Sequence, residues 1–171
     1  MTSPVLQRLD TLARNLLPVF VTVAMLLAGV LPLHIAALQS VWPALPVIAV
    51  FYWTLYRPDL LPAVAVFFIG LLQDILAGLP IGVSACVLVG VHATVNMQRR
   101  FFAGRSFEVT WLGFALVATA ALVFGWLLTS VYYFELIAPE KFAFQVVTTI
   151  GFFPIFCRLL LRCRLSLPER A

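Results

Sequence analysis

Of 171 residues, 63% are hydrophobic and only 11% are charged, against about 45–50% apolar and ~25% charged in an ordinary soluble domain. With a mean hydropathy of +1.07, the chain cannot clothe a soluble fold in polar surface, which excludes a soluble enzyme, a nucleic-acid binder and a disordered linker. The solvent for most of it is lipid.

The charges are grouped. None falls in residues 15–56, 60–73, 75–98, 109–134 or 142–157. About 20 apolar residues carry a helix across a ~30 Å hydrocarbon core. Six segments follow in chain order, at 16–38, 44–56, 60–78, 80–98, 109–134 and 142–161. Helix is forced, because lipid leaves exposed backbone groups unsatisfied, and the runs lack the alternation of a barrel strand. The expected fold is therefore one all-α domain over 1–171 with six transmembrane helices.

The first segment follows Arg8 and Arg14, and Ile35-Ala36-Ala37 loosely resembles a cleavage site. The run is longer than the ~7–15 residues of a signal-peptide core, so it reads as a retained helix, with Pro18 near its start and Pro32 kinking its end. The short second segment ends at the turn Arg57-Pro58-Asp59. With the N-terminus inside, six crossings put every arginine, from Arg8 to Arg170, on the cytoplasmic side and only Lys141 outside. That asymmetry is the positive-inside pattern. Merging the second and third segments would destroy it. Trp42, Tyr132 and Tyr133 then mark the outer boundary, and Tyr52, Trp53, Tyr56 and Trp111 approach the inner one. The formal net charge of +4 follows from topology and calls for no nucleic acid.

Three cysteines make no disulfide framework; Cys86, Cys157 and Cys163 read as small packing residues. Asp74 stands out. An ionised group at bilayer depth is costly and a functional candidate by default. It lies four residues before Gly78, in Gly70-Leu71-Leu72-Gln73-Asp74-Ile75-Leu76-Ala77-Gly78-Leu79-Pro80-Ile81-Gly82. Pro80 suits the first turn of a following helix, whose free N–H groups at Ile81, Gly82 and Val83 would face the Asp74 carboxylate. Capping is the structural reading; partner binding or proton linkage is the functional one. His34, at similar depth on the first segment, offers a possible partner for Asp74. His92 lies too deep for that and reads as a packing residue beside Asn96. Gly82-Val83-Ser84-Ala85 resembles the G-x-S-x of intramembrane serine proteases, but the sixth segment carries no histidine base. The residues offer no metal site, no cofactor site and no catalytic set.

Small residues recur every four positions at Gly82, Cys86, Gly90 and Thr94, and at Gly70, Asp74 and Gly78. Gly113, Ala121, Gly125 and Thr129 share a stripe on the fifth segment. Such stripes let helices approach closely, either within the bundle or against a partner. Gly125, in the outer half near Tyr132 and Tyr133, is the expected partner position.

The block from Tyr52 through Arg57-Pro58 to Gly70-Leu71-Leu72-x-Asp74-x3-Gly78-x-Pro80-x-Gly82 resembles the rod shape-determining membrane protein MreD family of bacteria. Phe153-Pro154-Ile155-Phe156, followed by Arg158, Arg162 and Arg164, is similar to that family's last helix and basic tail. The resemblance implies a non-enzymatic, multi-pass scaffold of the inner membrane, serving the elongation machinery for lateral peptidoglycan. It implies MreC as partner, through its transmembrane helix and outer juxtamembrane region, with MreB, the wall-synthesising polymerase and transpeptidase, and membrane lipids in the same system. It also implies a fold similar to the six-helix substrate-binding subunits of vitamin uptake transporters. The alternative function is thus a small-solute binding subunit, which the absence of a long outer loop disfavours.

Overall fold

In surroundings that cannot hydrogen-bond the backbone, a helix closes nearly every N–H and C=O within its own segment. The computed structural model of the protein describes residues 4–30, 43–102, 104–134 and 139–165, which are all-helical with no strand among them. The helices are α1 Pro4–Val30, α2 Leu45–Tyr56, α3 Ala63–Ala77, α4 Val83–Phe102, α5 Phe107–Tyr133 and α6 Pro139–Leu165. One 3-10 turn, Pro58–Leu60, joins α2 to α3.

Two boundaries differ from the sequence expectation in ways that matter. α1 begins at Pro4, so Arg8 and Arg14 continue the helix rather than precede it. Its expected end, with Pro32 and His34, lies outside the described residues. α4 begins at Val83 rather than at residue 80 and continues to Phe102, because the chain spends residues 80–82 on the turn.

α2 is the axis of the bundle. It packs on α1, α4, α5 and α6, while α1 and α3, α3 and α4, α4 and α5, and α5 and α6 are neighbours around it. Every residue from Leu45 to Leu55 is buried. Twelve residues rise only about 18 Å, too little for a ~30 Å core, but a helix enclosed by others need not span it. The residue that caps its start is tied across the fold: Ala44 N donates to Thr149 Oγ1 of α6 at 2.9 Å.

The half of the bundle nearest the arginines is filled by aromatic rings. Phe51 of α2 meets Phe114 of α5 edge-on at 5.1 Å and Phe153 of α6 at 5.8 Å, and Phe114 stacks on Phe153 at 4.1 Å. Edge-on and stacked rings gain roughly 0.5–1.5 kcal/mol beyond area burial. Gly113 makes room here, since a Cβ on it would strike the Phe102 ring.

Burial runs opposite to a soluble protein. Thr22, Thr54, Asp74 and Thr149 are fully buried, whereas Phe20, Val64, Leu112, Leu116 and Val147 are each at least two-thirds exposed. So much exposed apolar surface marks a surface that does not meet water. Threonine hydroxyls turn back on their own helices, as in Thr22 Oγ1 to Pro18 O at 2.7 Å and Thr119 Oγ1 to Ala115 O at 2.7 Å, which satisfies donors where lipid offers no acceptor.

Candidate functional site

The α3–α4 turn gathers the sequence-singled residues. α3 ends because Gly78 adopts φ +64°, a left-handed conformation that costs a glycine little. The N–H groups of Gly78 and Leu79 both donate back to Asp74 O, the latter at 3.0 Å. The chain then turns through Pro80, whose carbonyl accepts from Val83 N at 3.2 Å. Gly82 follows with φ +104°, a value that L side chains rarely adopt.

Asp74 itself has no exposed surface. Its Oδ2 accepts from Gly82 N at 2.8 Å and its Oδ1 from Ser84 N at 2.8 Å. The residue therefore holds both sides of the turn, closing α3 with its carbonyl and the start of α4 with its carboxylate. The carboxylate also faces the positive end of α4. The donors are Gly82 and Ser84 rather than the expected Ile81, Gly82 and Val83, because α4 starts three residues later than Pro80 suggests and Val83 N is taken by the turn.

Gly70, one turn below Asp74, explains the closeness of the two helices. A Cβ there would collide with the Ala85 Cα and stand 2.7 Å from Ala85 N. Nothing short of a shift of α4 would accommodate it. Sequence reasoning found Gly70 by its spacing to Asp74 but did not identify Ala85 or the Ser84 N–H. A glycine four residues before a membrane-depth aspartate was the available signal.

The remaining singled residues are dispersed. Arg57 ends α2, its N–H donating to Trp53 O at 2.7 Å, at the opposite end of the bundle from Asp74. His92 is buried, but its Nε2 lies 3.1 Å from Leu61 O, and Asn96 is exposed; the expected pairing with Asn96 is replaced by a link to the α2–α3 connection. Ser84 lies about 12 Å along α4 from His92, so these two do not form a nucleophile–base pair. His34 falls outside the described residues. Among the described residues no group of three or more His, Cys, Asp or Glu could hold a metal.

The small-residue stripes separate. On α5, Ala121 and Thr129 are buried and Gly113 and Gly125 face neighbours; a Cβ on Gly125 would stand 3.1 Å from Val87 Cγ2 of α4. Gly125 therefore packs against α4, which is the within-bundle use of the stripe rather than the partner use, the two that the sequence left open. On α4 the stripe turns outward: Cys86, Gly90 and Thr94 are exposed, and a Cβ on Gly90 would meet nothing within 4 Å.

A family model described as rod shape-determining protein MreD matches residues 10–163. The chain belongs to the MreD family. The match takes in the Asp74 turn, the central α2 and most of α6. An uncharacterised protein of Rickettsia prowazekii (strain Madrid E) is 27% identical over 113 residues, 66% of this chain and 64% of that relative. The aligned stretch thus spans somewhat less than two thirds of the relative's length. No solved structure matches. MreD is a membrane family concerned with rod shape. In this chain α5 and the stretch Phe142–Arg162 are long and apolar enough to cross a membrane.

Proposed function

We propose that this MreD-family chain is a non-enzymatic scaffold that crosses the bacterial inner membrane six times with both termini in the cytoplasm. In this reading it binds MreC and so supports lateral peptidoglycan synthesis, with MreB and the wall-synthesising polymerase and transpeptidase in the same assembly. The observation that carries the reading is the family match over 10–163. The fold gives it physical support. The apolar exterior suits lipid on every side, the arginines of the described residues lie at one end, and the α3–α4 turn is braced by hydrogen bonds rather than left open around a reactive group. The fold likeness to substrate-binding subunits of vitamin uptake transporters is part of the same proposal.

Apolar burial alone gains nothing over lipid, so a partner helix must be held by close packing. The outward stripe of Cys86, Gly90 and Thr94 on α4 allows such an approach, and we place the partner's transmembrane helix there. The test is affinity purification of the full chain in mild detergent, with bound proteins identified by mass spectrometry. MreC should copurify with the wild type and be lost from Gly90→Leu at unchanged membrane abundance. If MreC is absent from the wild-type complex, the scaffold reading fails; if Gly90→Leu retains it, only its placement on α4 fails.

A further inference from the structure

The short central helix has a consequence at the other half of the bundle. α2 starts at Leu45, while the helices around it extend past that level. Beyond its first turn, the axis of the bundle is not filled by protein atoms from the described residues. A cavity of about 450 Å³ lies there, between Ala44 and Val47 of the α2 start, Leu26 of α1, Leu88 of α4 and Leu122 of α5. Leu79, Tyr133 and Phe142 line it toward the α3–α4 turn. The aromatic cluster described above fills the opposite half of the bundle axis.

The size suits a ligand. An apolar cavity of about 150 Å³ already admits a benzene ring, and ligand pockets run from about 300 to 1,000 Å³. The lining is specific about charge. Among the described residues no Asp, Glu, Lys, Arg or His contributes to it. Asp74, next to the lining residues Gln73 and Ser84, has its carboxylate turned to the Gly82 and Ser84 amides. A charged guest would meet no countercharge from these residues in a medium of low dielectric, where an unpaired charge is costly. The lining also carries one open demand: Gln73 Oε1 is buried without a hydrogen-bond partner among the described residues, although Gln73 lines the cavity. A buried acceptor left unpaired loses free energy and would gain from any guest that brings an O–H or N–H.

We infer that this cavity binds an uncharged amphiphile, an apolar chain or ring bearing a hydroxyl or amide N–H that donates to Gln73. Such a guest lays its apolar part along Leu26, Leu88 and Leu122 and places its donor group beside Gln73. The inference is independent of the partner reading, since it rests on the interior of the bundle and not on its outer face.

The probe is 1-decanol carrying a photoactivatable diazirine on its chain, applied to the full protein in lipid nanodiscs, with the matching decanoate and decylammonium probes as charge controls. Labelled peptides are mapped by mass spectrometry. The alcohol should label residues 83–88 and 121–133 saturably, with unlabelled 1-decanol competing, and both charged probes should be at least tenfold weaker. Gln73→Leu should weaken competition about tenfold, the effect of losing one hydrogen bond. Ala121→Phe should abolish the saturable component by filling the space; Val87→Phe serves the same purpose if Ala121→Phe fails to fold. Three results would overturn the inference. The first is non-saturable labelling spread equally over outward residues such as Leu116 and Val123. The second is equal labelling by the charged probes. The third is no labelling of the lining at all.

Discussion

Replacing Asp74 by alanine should be among the most damaging single changes in the chain, and its cost can be worked from the hydrogen bonds. The carboxylate accepts two backbone N–H groups, Gly82 and Ser84, each at 2.8 Å, from a fully buried position. Each buried donor left without an acceptor costs about 1–3 kcal/mol. Two donors give about 2–6 kcal/mol, a large share of the ~5–15 kcal/mol that ordinarily holds a fold together. Asp74→Asn keeps one side-chain oxygen but presents an NH2 group to the other amide. It should therefore lose about one of the two bonds, roughly half of that 2–6 kcal/mol. Thermal unfolding of the purified chain in dodecyl maltoside, read as the fraction remaining monodisperse, should rank wild type above Asn and Asn above Ala, with membrane abundance following the same order. An Ala variant as stable as wild type would refute the capping account. An Asn variant as harmful to complex formation as Ala, at normal protein levels, would show that the negative charge acts in its own right.

Other substitutions test the geometry separately. Gly70→Ala should destabilise by about 1–3 kcal/mol, the usual cost of overpacking, because its Cβ meets the Ala85 backbone; the same thermal assay reads it. Gly78→Ala should cost about 1 kcal/mol through its left-handed conformation, with no clash to add. Gly113→Leu should fail to accumulate, since the Phe102 ring occupies the space, whereas Gly90→Leu should fold normally and serve as the outward control. For topology, a single cysteine at position 138 should react with an impermeant maleimide from outside, and one at 104 should not; the reverse pattern would overturn the six-crossing proposal.

How much of this was legible in the sequence depends on the distance over which the cause acts. Local causes were readable. The five charge-free stretches cover the apolar parts of all six helices, α1 and α2 sharing the first of them, and Gly78 four residues after Asp74 marked a helix end. The α4 start was misplaced because Pro80 fits a helix's first turn as well as a turn before one, and only the Asp74 bonds to Gly82 and Ser84 choose between them. Non-local causes were invisible. The Ala44–Thr149 hydrogen bond joins residues 105 positions apart, and no periodicity announces it. The stripe directions were equally hidden: position 90 and position 125 are both glycine, with the same four-residue spacing to small neighbours. Which one faces lipid is set by where α2 sits, because the helices around it turn their inner faces toward that axis.

The position of α2 also decides which parts of the chain can tolerate change. A helix of twelve residues exposed to lipid would leave polar ends inside the hydrocarbon, each unsatisfied group costing several kcal/mol. Here the ends are covered: Thr149 Oγ1 accepts the Ala44 N–H at one end, and at the other the Arg57 N–H reaches back to Trp53 O. Thr149→Val keeps the shape of the side chain but removes that acceptor, which leaves the Ala44 N–H unpaired in a buried site. The expected loss is about 1–3 kcal/mol, comparable to one of the two Asp74 bonds although Thr149 carries no charge. Thr149→Ser retains the oxygen and should recover most of the stability in the same thermal assay. Thr119→Val is the matched control, because Thr119 is exposed and its hydroxyl bonds only its own helix at Ala115 O; it should be close to neutral. Equal effects at 119 and 149 would mean that the cost lies in helix back-bonding, and that α2 is held by packing alone.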